Sequence, residues 1–322
     1  MQVSSITSSV NNFQGKKKEK DSNKVGAGTM ALGYMGGSLG STFIGQAYQQ
    51  TIGNLILSKL SKINPSKEDN MSEVLETSLK TSGLEAKGIK LVDVSNFNSI
   101  EIYDSTGKLI DIKTPTRQVK EILLEEYKNH PLTKNSYKNP IMHKYFEKVS
   151  DVAGESIAKG KNALYTFDGK ILINSEKLGF AGFHEMGHAI NKHMSKIGKI
   201  LQNSRTPLSL LSSSLLALAL FTNKRTEENP PENKWQKFTQ GVKENIGKIS
   251  AFATLPMLAE EILASVKGQK LAKTVLPKHL IKSVTKTHAL SAMSYMGITL
   301  VSGIAAFGAN KIRDRIVHGK DC

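Results

Sequence analysis

Hydrophobic and polar positions fall in blocks along this chain. Residues 1–24 are polar and basic, with the run Lys16-Lys17-Lys18-Glu19-Lys20, and read as a disordered tail lacking the apolar core of a signal peptide. The block 25–58 then has no charged residue over 34 positions, long enough to cross a bilayer. It holds eight Gly, with Gly33/Gly37 and Gly36/Gly40 at a spacing that lets helices approach closely in lipid. The expectation is a Gly-rich, membrane-associated segment, either a span or an interfacial loop. Two further uncharged stretches come late: 206–223, of 18 residues, and 289–310, of 22. A shorter one, 249–259, has only 11 and can cross only if Lys243 and Lys248 snorkel. Apolar helices are therefore expected at 206–223, 245–263 and 289–310, with transmembrane character.

Between these blocks the periodicity changes. "GIKLVDV" and "SIEIYDSTGKLIDI" alternate as strands do, with Ser105-Thr106-Gly107 as a turn. Residues 114–129 open on Thr-Pro and continue with helical spacing, as do 140–158. "ALYTFDGKILIN" (163–174) predicts a hairpin turning at Asp168-Gly169. One long helix is expected after it, from Glu176 to Gln202. The fold class expected is α+β, mostly helical. A soluble α+β region at 59–158 precedes a functional region at 159–322.

Composition changes this picture little. The net charge of +16 is carried by Lys, with only five Arg. Lys beside apolar segments suits an anionic membrane surface better than base reading, for which Arg is the preferred residue, so no nucleic-acid partner is expected. Such Lys excess is equally a matter of bulk composition. The single cysteine, Cys322, excludes an intrachain disulfide and a structural zinc site built on several cysteines.

The candidate chemistry lies in "GFAGFHEMGHAINKH", which contains His184-Glu185-Met186-Gly187-His188. On a helix, positions i and i+4 share a face, so both imidazoles can reach one Zn2+. Glu185 then stands where a carboxylate can take a proton from an attacking water. The plainer reading is an amphipathic helix with two polar-face histidines. A catalytic zinc needs a third protein ligand. The metzincin spacing would place it at Met194, with Gly where Asn191 stands, so that pattern fails. His193 lies about 180° around the helix from His184 and is expected on the solvent side. Glu260 and Glu261 are the only charges in the apolar stretch from Ile249 to Val266, a costly placement unless they are paired or bind metal. Ala264, three positions after Glu261, would let this helix pack closely on the motif helix, and Ser265 could hydrogen-bond a ligand.

The order HEMGH, apolar segment, "TLP", Glu-x-x-Ala-Ser and a last apolar segment resembles the bacterial membrane-bound neutral zinc metallopeptidases. These are relatives of the gluzincin clan that includes prenyl-protein and stress-response membrane proteases. The likeness covers roughly 160–310, including Tyr165, Asp168, Lys170 and Leu172 of the hairpin. It implies a zincin-like core of hairpin plus active helix, with one Zn2+ held by His184, His188 and Glu261 and with Glu185 as base. The distance from Leu255-Pro256 leaves Glu260 as the alternative third ligand. The expected function is a membrane-associated zinc metalloendopeptidase acting on protein or peptide substrates, with membrane lipid as its other partner. A non-catalytic membrane scaffold or pore-forming protein, suggested by the uncharged 25–58 run, and a soluble peptidase are the competing readings.

Overall fold

Apolar runs and proline punctuation account for most of the helices in the computed structural model, which describes residues 27–60, 62–131, 133–225 and 230–318. The basic tail 1–24 lies outside the described residues. Helix α1 (Ala27–Tyr48) occupies most of the first uncharged block and runs through a π-helical turn at Gln49–Gly53 into α2 (Asn54–Leu60). Helix α3 (Met71–Thr81) follows, then strand β1 (Lys90–Asp93) and a separate antiparallel hairpin of β2 (Ile100–Tyr103) and β3 (Leu109–Lys113). Thr114 caps α4 (Pro115–Asn129), and Asn139 caps α6 (Pro140–Ala158) across the short α5 (Lys134–Tyr137). Both long helices carry Pro at their first position, where its missing N–H is not needed.

Strands β4 (Leu164–Tyr165) and β5 (Lys170–Ile173) form the expected hairpin, with Gly169 at φ 88° in its turn. Strand β5 also pairs in parallel with β1, from Lys90 opposite Lys170 to Asp93 opposite Ile173, giving the order β1-β5-β4. As the central strand it is buried on both faces, which is why it reads as an unbroken apolar run. Ile171 and Ile173 pack with Met71, Leu75, Leu79, Phe180 and Phe183, while Leu172 packs with Val94, Val119, Leu123 and Ile157. Residues on both sides of position 158 thus share one core.

The single helix expected over 176–202 is two helices. Helix α7 (Ser175–Met194) stops at Ser195, whose extended backbone (φ −132°, ψ 118°) starts α8 (Lys196–Phe221). The Ser195 hydroxyl accepts the Gly198 N–H at 3.1 Å, a side-chain cap that competes with continuation of the helix. The turn folds α8 back toward the motif. Helix α9 (Lys234–Val275) is continuous through Pro256 and contains the expected 245–263. It ends where Leu276, held extended ahead of Pro277, breaks it, and α10 (Lys278–His318) contains 289–310. Helices α8, α9 and α10 are each long and apolar enough to cross a membrane. The molecule is mostly helical with a small sheet, and α1, α8, α9 and α10 lie alongside one another.

Candidate metal centre

Helix α7 presents the motif because both of its ends are fixed. At its start the Asp93 carboxylate, at the end of β1, accepts the Ser175 N–H at 3.1 Å and the Ser175 hydroxyl. A carboxylate there also meets the positive end of the helix dipole. Burial alone would raise the Asp93 pKa, but the hydrogen bonds from Ser175 and Ser95 outweigh it and hold the carboxyl below its usual value.

The motif helix then packs on α9 at very short range. A Cβ on Gly187 would stand 2.0 Å from the Ala264 carbonyl oxygen, and one on Gly268 would stand 2.1 Å from that of Phe183. The two glycines let the backbones touch, with fully buried Ala264 at the contact.

This approach brings three ligand atoms together. His184 Nε2 lies 3.1 Å from His188 Nε2 and 3.1 Å from Glu261 Oε2, and His188 Nε2 lies 3.3 Å from the same carboxylate oxygen. Three donors about a metal in tetrahedral geometry, with bonds of about 2.0–2.1 Å, stand roughly 3.3–3.4 Å apart. The triangle therefore fits one metal ion. Glu185, on the same face, has a carboxylate oxygen within 4.8 Å of the imidazole ligand atoms.

Glu260 does not join that triangle. Its carboxylate accepts from His188 Nδ1 at 3.0 Å, from Asn191 Nδ2 at 2.7 Å, from Gln202 Nε2 at 2.9 Å and from Arg205. Holding the proton on Nδ1 leaves the Nε2 lone pair of His188 turned into the triangle. Ser265 Oγ lies 3.0 Å from His184 Nδ1 and orients the other ring in the same way. Burial would lower the His188 pKa, yet Glu260 and Glu261 reverse this and raise it. The pocket thus favours a positive charge where the imidazoles meet. Charge balance agrees. Glu185, Glu260 and Glu261 are all buried, and Arg205 bridges the last two. These carboxylates outnumber the one guanidinium that contacts them, which suits a cation at the site.

The Glu185 carboxylate is also held. Its Oε2 accepts the backbone N–H of Tyr165 at 2.7 Å, off the edge of β4 that no strand covers among the described residues. A cleft of about 200 Å3 opens before His184 and Glu185, walled by Ile56 and Leu57 of α2, Ala163, Leu178, and Tyr295 and Ile298 of α10. Burial, then the Asp168 and Glu126 carboxylates, raise the pKa of the Tyr165 phenol, so its hydroxyl stays neutral.

His184, His188, Glu185 and Glu261 are thus brought together. His193 is exposed and bonds Tyr165 Oη at 3.0 Å, and Met194 is exposed as well. Asn191, Gln202 and Arg205 carry no sequence signal for a role here. They are ordinary polar residues on either side of the turn at Ser195, which brings them to the site. Gly268 does carry a signal: four positions after Ala264, it is the second half of a small-residue spacing that permits close helix contact. Neither family models, nor curated proteins, nor solved structures give a match to this chain.

Proposed function

We propose that the chain is a membrane-associated zinc metalloendopeptidase with a zincin-like core of the β4–β5 hairpin and α7. The observation that carries this is the triangle of His184 Nε2, His188 Nε2 and Glu261 Oε2, with a second carboxylate, Glu185, beside it and outside it. Two imidazoles and one carboxylate suit Zn2+ with an open position, and the ion would supply Lewis acidity toward a water and the scissile carbonyl.

The chain's own groups do the rest. Glu185 is anchored through Oε2 by the Tyr165 N–H, which leaves Oε1 to take a proton from the attacking water and pass it to the leaving amine. A peptide adding as a strand to the free edge of β4 would lie in front of this carboxylate, bound by backbone hydrogen bonds that do not depend on its sequence. The buried Glu260 and Asn191, with the half-buried Gln202 and Arg205, keep His188 in one tautomer and one orientation.

The test pairs metal analysis of the purified protein with digestion of casein by wild type and Glu185→Gln. The variant should keep its zinc while turnover falls on the order of 10²–10⁴-fold. Wild-type digestion by the variant, or purified protein that takes up no zinc, overturns the reading.

A further inference from the structure

Helix α1 is built the wrong way round for a helix that faces water. Its small residues point inward: a Cβ on Gly37 would stand 2.8 Å from the Ala309 carbonyl oxygen of α10, and one on Gly33 would stand 2.7 Å from the Val317 side chain. Its large residues point outward. Leu32, Met35, Leu39 and Phe43 follow one helical face and are 61%, 58%, 68% and 74% exposed. No charge occurs anywhere in the helix. It runs antiparallel to α10, from Gly33 beside Arg313 to Tyr48, whose hydroxyl donates to the Ser294 carbonyl at 2.9 Å.

Two polar levels bracket the four helices. At one level Lys243 pairs with Asp314 at 2.7 Å and donates to Asn310 Oδ1 and the Ala219 carbonyl, while Arg313 pairs with Asp314 and donates to the Leu220 carbonyl. At the other level Arg205 bridges Glu260 and Glu261. From Arg205 to Ala219 on α8, from Lys243 to Glu260 on α9 and from Gly33 to Tyr48 on α1, the helical rise amounts to roughly 21–26 Å. That is close to the roughly 30 Å of a hydrocarbon core. Between the levels the outward side chains of α1 and α10 are apolar, while α8 exposes Leu210 and Leu211 beside Ser209, Ser213 and Ser214, of which Ser214 donates to its own helix at the Leu210 carbonyl. On α9 Phe252 and Leu255 face outward, and the exposed Glu244, Asn245 and Lys248 all lie within about two turns of the Lys243 level, where long side chains can snorkel. The outward stripe of α1 continues the lipid-compatible surface of α8, α9 and α10.

We propose that α1 crosses the bilayer as a fourth helix, its Leu32, Met35, Leu39 and Phe43 facing acyl chains. The metal centre then sits at one membrane interface, on the side of residues 59–202. The chain enters α1 on the opposite side, shared with the connection between α8 and α9. Lipid is the occupant because the neighbouring helices already present apolar faces to it, and a protein partner would have to cover all four at once. This arrangement does not depend on the peptidase reading.

The test uses the full chain in a Cys322→Ser background, with single cysteines at Lys59, Lys278 or Glu232, or in an added N-terminal tag. Each is labelled in sealed vesicles with a membrane-impermeant maleimide. The tag and Glu232→Cys should share one side, and Lys59→Cys and Lys278→Cys the other. A tag on the same side as Lys59→Cys overturns the proposal. A second measurement places an indole in the stripe, Leu39→Trp or Phe43→Trp with Trp235→Phe, in vesicles with brominated acyl chains. Loss of fluorescence relative to unbrominated lipid is expected at both positions. Unchanged fluorescence at both would mean that α1 lies outside the bilayer.

Discussion

A single methyl group on Gly187 should abolish metal binding at the candidate centre without touching a candidate ligand. In Gly187→Ala the new Cβ would stand 2.0 Å from the Ala264 carbonyl oxygen, and a backbone oxygen has no rotamer to escape into. Ordinary contact begins near 3.4 Å, so α7 and α9 must part by about 1.4 Å in a close-packed interior. Glu261 rides on α9 and the two histidines on α7, so the same displacement opens their 3.1–3.3 Å triangle. Metal coordination tolerates only about ±0.2 Å. The fold should survive. Overpacking costs about 1–3 kcal/mol, partly offset by roughly 0.5–1 kcal/mol of helix preference for Ala over Gly. The assay is bound metal per chain after dialysis, compared at equal helical circular dichroism. Gly268→Ala, at 2.1 Å from the Phe183 carbonyl oxygen, should behave alike, whereas Gly241→Ala, with nothing within 4 Å, is the control. If Gly187→Ala holds as much metal as Gly241→Ala, the α7–α9 contact does not set the ligand geometry and the reasoning fails.

The two adjacent glutamates should separate in the same assay. Glu261→Ala leaves two imidazoles and should lose metal on dialysis, while Glu260→Ala should retain it with affinity lowered about 10–100-fold, the usual effect of removing a group that orients a ligand. Full metal in both variants would place the third ligand elsewhere. Asp93 should supply an acid-sensitive part of the stability. Its folded pKa is lowered, so its contribution is complete above the unfolded value of about 3.9 and is lost as pH falls through the folded one. Asp93→Ala should cost about 1–3 kcal/mol at neutral pH through the unpaired Ser175 N–H. The difference from wild type, followed by denaturant melts, should shrink toward acid, and a constant difference would refute the linkage.

The apolar blocks, the β4–β5 hairpin and the His-Glu-x-x-His face were legible in the chain because each depends on local spacing. A single turn of helix suffices to align His184 with His188, and Asp168-Gly169 sets its turn without help from distant residues. The break at Ser195 was not legible. Residues 176–202 have unbroken helical character, and a local hydroxyl cap together with packing of Gly198 on Asn191 decides where the helix stops. Nor did periodicity distinguish the roles of Glu260 and Glu261. They point about 100° apart on α9, but which of them faces the imidazoles depends on how α9 is rotated against α7. That rotation is set by Gly187, Ala264 and Gly268 meeting backbone to backbone. The parallel pairing of β1 with β5, across some eighty residues of intervening chain, is likewise a property of the assembled core. Sequence by itself determined which residues could do chemistry and which helices could enter a membrane, because both follow from residue type and short-range geometry. Only the tertiary structure sets the Glu261 carboxylate against both imidazoles, sets Glu260 and Arg205 behind His188, and lays α1 against α10, because each depends on contacts between segments distant along the chain.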